Sequence, residues 1–356
     1  MKKLNLAIIG QGRSGKDIHG VYYRSDKNVY FNVKYVVEAD EGRRKISQQI
    51  YPGCETLCDY KELFDKTDID VVVNASYSHQ HYPITKDLLE HKFNVLVEKP
   101  FGRNRFECED LIATAKKNGV VLAVFQNSFY AHYYLHAKKL IEEGVLGDIK
   151  EIRICFNGYS RRWDWQTLQK MLGGSVYNTG PHPIGLAMGF LDFDKDTQVL
   201  YSRLDTAITS GDAEDYAKIL MTAPNKPLID IEISSLDAFT DYKILVQGTR
   251  GCLKNSTKDY TYKYWTEAEN PAQPLIVESL RDKDNNPLYC EEKLVWHEES
   301  GKYDGTAFDA GSQAIYENLY YALTEGRALL LDPAIVTDLI GIIEKVHADN
   351  PLPLKY

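Results

Sequence analysis

The chain has 356 residues, 44% of them apolar and 26% charged, with a net charge of −9. A single core stops growing at roughly 250–300 residues, so two domains are expected, and the acidic balance excludes a nucleic-acid binder with a basic face. Six cysteines, at 54, 58, 108, 155, 252 and 290, form no CxxC pair and no metal-like spacing, and read as reduced thiols of a cytoplasmic protein without a metal centre.

The opening "MKKLNLAIIG" pairs two lysines with an apolar run. That run is too short for a signal peptide, and glycines and charges follow it where a small-residue cleavage site would stand. No segment approaches the ~20 apolar residues of a membrane span, so no membrane partner is expected.

The first predicted strand, Leu4–Ile9, runs straight into Gly10-Gln11-Gly12-Arg13-Ser14-Gly15. After a buried strand, G-x-G-x-x-G has a mechanical meaning. The first glycine permits a tight turn, the second lets a pyrophosphate approach the backbone, and the third lets the next helix pack closely. The whole loop, with Gln11, Arg13 and Ser14, is expected to hold a dinucleotide. A second strand in "NVKYVVEADEGRR" ends at Glu38, a little over ~20 residues past the last glycine, where an acid would bind a ribose diol. Ala39 follows where an arginine would favour a 2′-phosphate, and Glu38 would repel one. NAD is therefore favoured over NADP, with Arg43 and Arg44 the residues that could oppose the choice.

Strands and helices then alternate: "DIDVVVNAS", "HYPITKDLLEHK", "FNVLVEK", "RFECEDLIATAKKNG" and "VVLAVFQ". This pattern predicts a doubly wound parallel sheet with right-handed crossovers. Ligands of such sheets sit at the carboxyl ends of the strands. Those ends are Asn74-Ala75-Ser76, Glu98-Lys99-Pro100 and Gln126-Asn127. Ala75, Ser76, Glu98, Lys99 and Asn127 are expected to line the cofactor cleft. Ser78, His79 and His81, on the loop after the third strand, are placed beside it, and the two histidines are not taken as a metal pair.

With "VEKPFG" after a strand, "GQGRSG" at the start and "SYSHQHYP" between them, the chain resembles the Gfo/Idh/MocA family of NAD(P)-dependent sugar and inositol dehydrogenases. The likeness continues through "KKLIEEGVLGDIKEIR", "ILVQGTRGCL", "FDAGSQAIYENLYYALTEGR" and "AIVTDLIGIIEKVHADN". It implies a Rossmann domain over 1–127 and a substrate-binding and oligomerisation domain over 128–356. The pattern beyond residue 128 agrees. Strand-like runs such as "EIRICFNGY", "AKILMTA", "LIDIEISSL" and "YKILVQG" follow one another with few helices between them, which predicts a large, mostly antiparallel open sheet. Such a sheet needs cover, which in this family a second subunit commonly provides, so a homodimer or homotetramer through it is expected.

"GGSVYNTGPHPIG", residues 173–185, follows the first of these strands. On its own, His182 could be a cap at the start of a buried helix, with Pro181 or Pro183 in the first turn. The resemblance implies more. The family's segment carries an aspartate and, four residues later, a histidine facing the nicotinamide. Carried over, the histidine is His182, the aspartate position is Asn178, and the Glu-Lys-Pro lysine is Lys99. An amide can position an imidazole or a substrate hydroxyl but cannot stabilise its charged form. A later family aspartate is also absent, with Gly185 in its place. His182 is then the base, Lys99 assists, and Asn178 positions. In "YSRRWDWQT", Trp163 or Trp165 could stack on a ring and Arg161 or Arg162 could bind an acidic substituent; Arg162 and Trp163 are the substrate contacts expected. His132 and His136 receive no role. The implied activity is NAD-dependent oxidation, or the reverse reduction, of a secondary hydroxyl of a sugar, glycoside or inositol. The alternatives are a glycosidase that oxidises its sugar only transiently, and a non-catalytic dinucleotide sensor.

Overall fold

Strands of three to seven residues build the first sheet of the computed structural model, which describes residues 2–356, the side chains of residues 307 and 308 excepted. They are β1 (Leu4–Ile9), β2 (Phe31–Val37), β3 (Glu55–Leu57), β4 (Val71–Asn74), β5 (Val95–Glu98) and β6 (Leu122–Phe125). Their order is β3-β2-β1-β4-β5-β6, and every pair is parallel. β4, β5 and β6 are buried at every position because helices cover both faces, which is why they read as unbroken apolar runs. β3, only three residues long, has no counterpart in the sequence pattern. It makes β4, not the third strand, the one that precedes Ser78.

The crossovers carry α1 (Gly20–Arg24), α2 (Glu41–Ile50), α3 (His81–Glu90) and α4 (Arg105–Asn118). Asp40 caps α2 by accepting the Arg43 N–H, and Asn104 caps α4 by accepting that of Glu107. The expected helix after the glycine loop begins instead as a wide π-turn over Arg13–His19, in which the Gly20 N–H reaches back five residues to the carbonyl of Gly15.

The second sheet has eight strands: β7 (Ile149–Cys155), β8 (Gln198–Asp205), β9 (Tyr216–Thr222), β10 (Leu228–Ser234), β11 (Ile244–Gly248), β12 (Gly251–Asn255), β13 (Asp259–Tyr264) and β14 (His297–Lys302). In the order β14-β13-β12-β11-β7-β10-β9-β8 only the β7–β10 pair is parallel. Strict alternation puts Ile219, Met221, Ile229, Ile231, Ile244 and Val246 into the core. The opposite face carries charge pairs, Lys218 with Asp230 at 2.7 Å and Arg153 with Glu151 at 3.0 Å. Behind the apolar face lie α5 (His132–Glu142), the short α6 (Ser175–Asn178), α7 (Pro181–Phe190) and α9 (Pro333–Asp349).

α8 (Ala307–Glu325) breaks the division at residue 128. It follows the second sheet in the chain yet packs on the first. Tyr316 is fully buried, stacked on Tyr22 at 4.3 Å, among Leu6, Ile8, Val36 and Phe125. Residues 128–356 are therefore not one packing unit, because their last part closes a face of the parallel sheet. Among the described residues no helix is long and apolar enough to cross a membrane.

Candidate active site

The glycine loop leaves β1 beside β4, where the strand order reverses. Gly10 has φ +88°, and a Cβ there would meet the Ala75 carbonyl at 2.5 Å; at Gly15 it would lie 1.9 Å from the carbonyl of Gly10. Ala75 thus serves the loop as a wall. Above Gly12 a Cβ would meet nothing within 4 Å, so the middle of the loop is open, as an approaching pyrophosphate requires. Glu38 follows β2 against this loop, accepting the Gln11 N–H at 2.8 Å and the Asp40 N–H at 3.1 Å. Gln11 is buried, and its Oε1 has no partner among the described residues. Loop, acid and orphaned acceptor fit a dinucleotide. Arg44 is spent on the carbonyls of Glu38 and Ala39, at 2.6 and 2.7 Å, whereas Arg43 is half-exposed 3.7 Å from the Glu38 carboxylate.

Lys99 follows β5. Its Nζ donates to the carbonyl of Asn178 at 2.6 Å, joining the end of the parallel sheet to the end of α6. Burial pulls its pKa below the usual lysine range, and the exposed Arg13 adds to this, while Glu98 opposes it. Glu98 is itself buried. One carboxylate oxygen lies 3.1 Å from Nε2 of the fully buried His19, whose Nδ1 meets the Tyr316 hydroxyl, and the other accepts the Lys99 N–H at 3.1 Å. Burial works against its charge, but His19, Lys99 and His81 more than offset this, and the carboxyl stays below its ordinary pKa. His19, inward on the π-turn, was not anticipated as part of the site.

Asn178 and His182 do not share one helix. α6 ends at Asn178, and α7 begins at Pro181, whose ring and that of Pro183 remove two N–H donors. The Asn178 side chain accepts from Gln166 Nε2 at 3.2 Å, so its link to the chemistry runs through its main-chain carbonyl on Lys99. The amide is thus turned to Gln166 and makes no hydrogen bond to His182 among the described residues. The His182 ring lies parallel to Phe156, 6.3 Å away, and makes no hydrogen bond among the described residues. Burial, with Lys99 and Lys243 adding to it against Glu98, pushes its pKa down to about 3, leaving a neutral imidazole. Gln126, at the end of β6, donates to the Pro181 carbonyl and so anchors the turn that carries His182. Gly185 sits where a Cβ would touch Phe129, Gln126 and Leu339 at 3.1–3.2 Å, so an aspartate there would require those side chains to give way.

The remaining expected contacts divide. His79 stacks near Tyr77, and its buried Nδ1 has no partner among the described residues. Ser14 and Asn127 are half-buried, and Ser78 is buried at the start of the turn after β4. The Ser76 hydroxyl donates to Asn74 at 2.7 Å. His81 cannot offer its ring to a cofactor. It is 2% exposed, with Nδ1 2.7 Å from the Pro100 carbonyl and Nε2 3.1 Å from that of Ser76, so it fastens two strand-end loops together. Trp163 is 80% exposed, and Trp165 is the tryptophan that packs on Tyr77 of the β4 loop, at 5.0 Å. Arg162 is neutralised by Asp164 at 2.6 Å.

A cleft of about 240 Å³ runs beneath Asn178 and Thr179, with Phe156, Arg162, Ser175 and Ser234 among its walls. Two acids in it were missed. Asp215 accepts three consecutive N–H groups, from Ala207, Ile208 and Thr209, at 2.7–2.8 Å. Glu214 accepts the Val176 N–H at 2.8 Å and faces Nε2 of His347 on α9 at 3.4 Å. Gly174, at φ +98°, is required here, since a Cβ would come within 2.4 Å of that carboxylate. His347 stacks on Tyr177, whose hydroxyl donates to the Arg103 carbonyl at 2.7 Å, so α9 braces α6 against the loop after Lys99. The "GDAEDY" run that carries both acids reads in sequence as a solvated loop, and nothing local marks it.

Two family profiles match the chain. One, described as an oxidoreductase family with an NAD-binding Rossmann fold, covers residues 4–126, and the other, the GFO/IDH/MocA C-terminal domain, covers residues 134–254. The chain is 23% identical over 260 residues to 2,7-anhydro-N-acetylneuraminate hydratase of Mediterraneibacter gnavus, spanning 71% of this chain and 67% of that one. It is 27% identical over 183 residues to the scyllo-inositol 2-dehydrogenase (NADP(+)) IolW of Bacillus subtilis, spanning 51% and 50%. A crystal structure of GenD2 from gentamicin A biosynthesis, in complex with NAD, shares the fold at a TM-score of 0.73 and 19% identity, covering 98% and 95% of the two chains.

Proposed function

The chain belongs to the Gfo/Idh/MocA oxidoreductase family, and from that premise we propose that it is an NAD-dependent dehydrogenase of a secondary hydroxyl on a sugar, glycoside or inositol. The observation that carries the proposal is the junction at Lys99. The strand-end lysine, close enough to Arg13 of the glycine loop to feel its charge, is bonded at 2.6 Å to the carbonyl of Asn178, four residues before His182.

The dinucleotide would be held by the open glycine loop and by Glu38, and when bound it supplies the hydride acceptor. His182, neutral because of its burial, takes the hydroxyl proton on a free ring nitrogen. Lys99 Nζ donates a hydrogen bond to the same oxygen as negative charge grows on it. Glu98, held by His19, fixes the Lys99 main chain through its N–H. The ribose reading of Glu38 favours NAD, and half-exposed Arg43 is the residue that could admit NADP. Free thiols at all six cysteines suit a reducing cytoplasm.

The test is Lys99→Met. Turnover should fall by about 10²–10⁴, as for a lost acid–base group, while NAD affinity changes by less than about threefold. Undiminished turnover would make Lys99 a structural tie and remove the basis of the proposal. A second reading is favoured by the relative named as a hydratase: a reaction in which the sugar is oxidised and reduced again within one turnover. Product without accumulated NADH would select it.

A further inference from the structure

Lys243 stands out among the lysines of the second domain. Its main chain is locked into the sheet, the N–H donating to the Asn255 carbonyl at 2.6 Å and the carbonyl accepting from Cys155 at 2.9 Å. Its ammonium lies 4.3 Å over the ring of Phe156, which lines the cleft and lies parallel to His182. Lys218 on β9 and Lys254 on β12 have carboxylate partners at 2.7 and 3.0 Å. Lys243 has neither a carboxylate at ion-pair distance nor a hydrogen-bond acceptor for Nζ among the described residues. The Cys155 thiol is the ionisable group that opposes the cost of its burial.

The acids of the cleft and of the segments beside it are committed elsewhere. Asp215 accepts three amides, Glu214 accepts the Val176 N–H, and Asp164 holds Arg162. Glu232 and Asp237 share the amide of Asn157, at 2.7 and 3.0 Å. Glu98, the carboxylate that acts on His182, is turned into His19 at 3.1 Å. Asn178 brings no charge. Lys99 and Lys243 both oppose a positive charge on His182, and among the described residues Glu98 is the acid that favours one. A half-buried ammonium that rests on an aromatic ring and has no carboxylate partner is open to an anionic ligand.

We propose that Lys243 forms an anion subsite beside Phe156 and His182, and that the substrate is a sugar or polyol carrying a carboxylate. The inference rests on the oxidoreductase reading of this cleft and specifies its substrate class. A carboxylate there supplies negative charge beside His182, favouring the imidazolium that forms when the hydroxyl proton is taken. A single free ammonium matches one negative charge. The forked guanidinium that would add bidentate contacts to a phosphate dianion, Arg162, is already paired.

The experiment is calorimetric binding, in the presence of NAD, of D-glucuronate and D-galacturonate against D-glucose and D-galactose, with D-glucose 6-phosphate as the dianion. Wild type, Lys243→Met and Lys243→Arg are compared. At least one uronate should bind about tenfold tighter than its neutral parent, as a charge-assisted contact allows. The preference should vanish in Lys243→Met, survive in Lys243→Arg and weaken with salt. Equal binding of acid and neutral sugar, binding of neither, or a preference that persists in Lys243→Met would overturn the inference; tighter binding of the phosphate would reassign the subsite away from carboxylates. Nicotinamide absorbance read on the same samples keeps the two claims apart. Uronate preference without NADH removes the dehydrogenase reading alone, and equal NADH from neutral sugars removes the subsite alone.

Discussion

Glu214→Gln should expose the brace behind the active site, because it deletes a charge while keeping the shape. The carboxylate is 2% exposed, accepts the Val176 N–H at 2.8 Å and faces His347 Nε2 at 3.4 Å. Gln can still accept the amide, so the main loss is the interaction with protonated His347, about 1.5–3 kcal/mol for a charge-assisted contact. Glu214 raises the His347 pKa above the ordinary histidine value even though burial, the larger single influence, lowers it. A raised folded-state pKa adds stability that is fully present below the unfolded value of about 6.5 and is lost as pH rises through the folded value. Wild type should therefore melt several degrees above Glu214→Gln near pH 5.5, at about 2 °C per kcal/mol for a chain this long, with the gap shrinking toward pH 9. Differential scanning fluorimetry across that range measures it. A gap that stays constant, or widens with pH, refutes the pairing of Glu214 with protonated His347.

His182→Ala should lose turnover with little change in melting temperature. Because His182 is held neutral, with a pKa near 3, the acidic limb of the turnover profile should lie below about pH 5. Asn178→Asp should move that limb toward neutrality by about one unit, since a nearby carboxylate favours imidazolium; an unmoved limb would detach His182 from it. For the cofactor, Glu38 should give NAD at least about a tenfold advantage in kcat/KM over NADP. Arg43→Ala should widen that advantage, and equal efficiency with both cofactors in the wild type would show that Arg43 overrides the acid.

What could be seen in sequence was what the chain encodes locally. The loop from Gly10 to Gly15 and the acid at Glu38 each follow a strand by a fixed offset, and the structure joins them by one hydrogen bond, Gln11 N–H to Glu38. The parallel sheet was legible because β4, β5 and β6 are short, mainly apolar runs buried at every position. The second sheet showed itself in the alternation of β9 and β10, whereas exposed β8 and β14 carry too little of it. Contacts between distant residues were not legible. Glu214 meets His347 across 133 positions, and His19 meets Tyr316 across 297. Each partner alone is an ordinary polar residue, and burial together gives it a role. Trp163 and Trp165 lie two residues apart in one motif, so only the turn at Asp164, which caps the Gln166 N–H, decides which of them reaches Tyr77.

The central claim is that hydride leaves a carbinol carbon of a sugar or polyol for the nicotinamide within this cleft. The direct measurement is single-turnover mixing of the NAD-loaded protein with a panel of sugars, polyols and uronates deuterated at the carbinol carbons, followed by mass analysis of the nicotinamide. Deuterium should appear in reduced nicotinamide for at least one panel member, and should be lost with Lys99→Met. NAD that binds and yet acquires deuterium from no member, even transiently, would contradict the claim and leave the chain a dinucleotide-binding protein without redox chemistry.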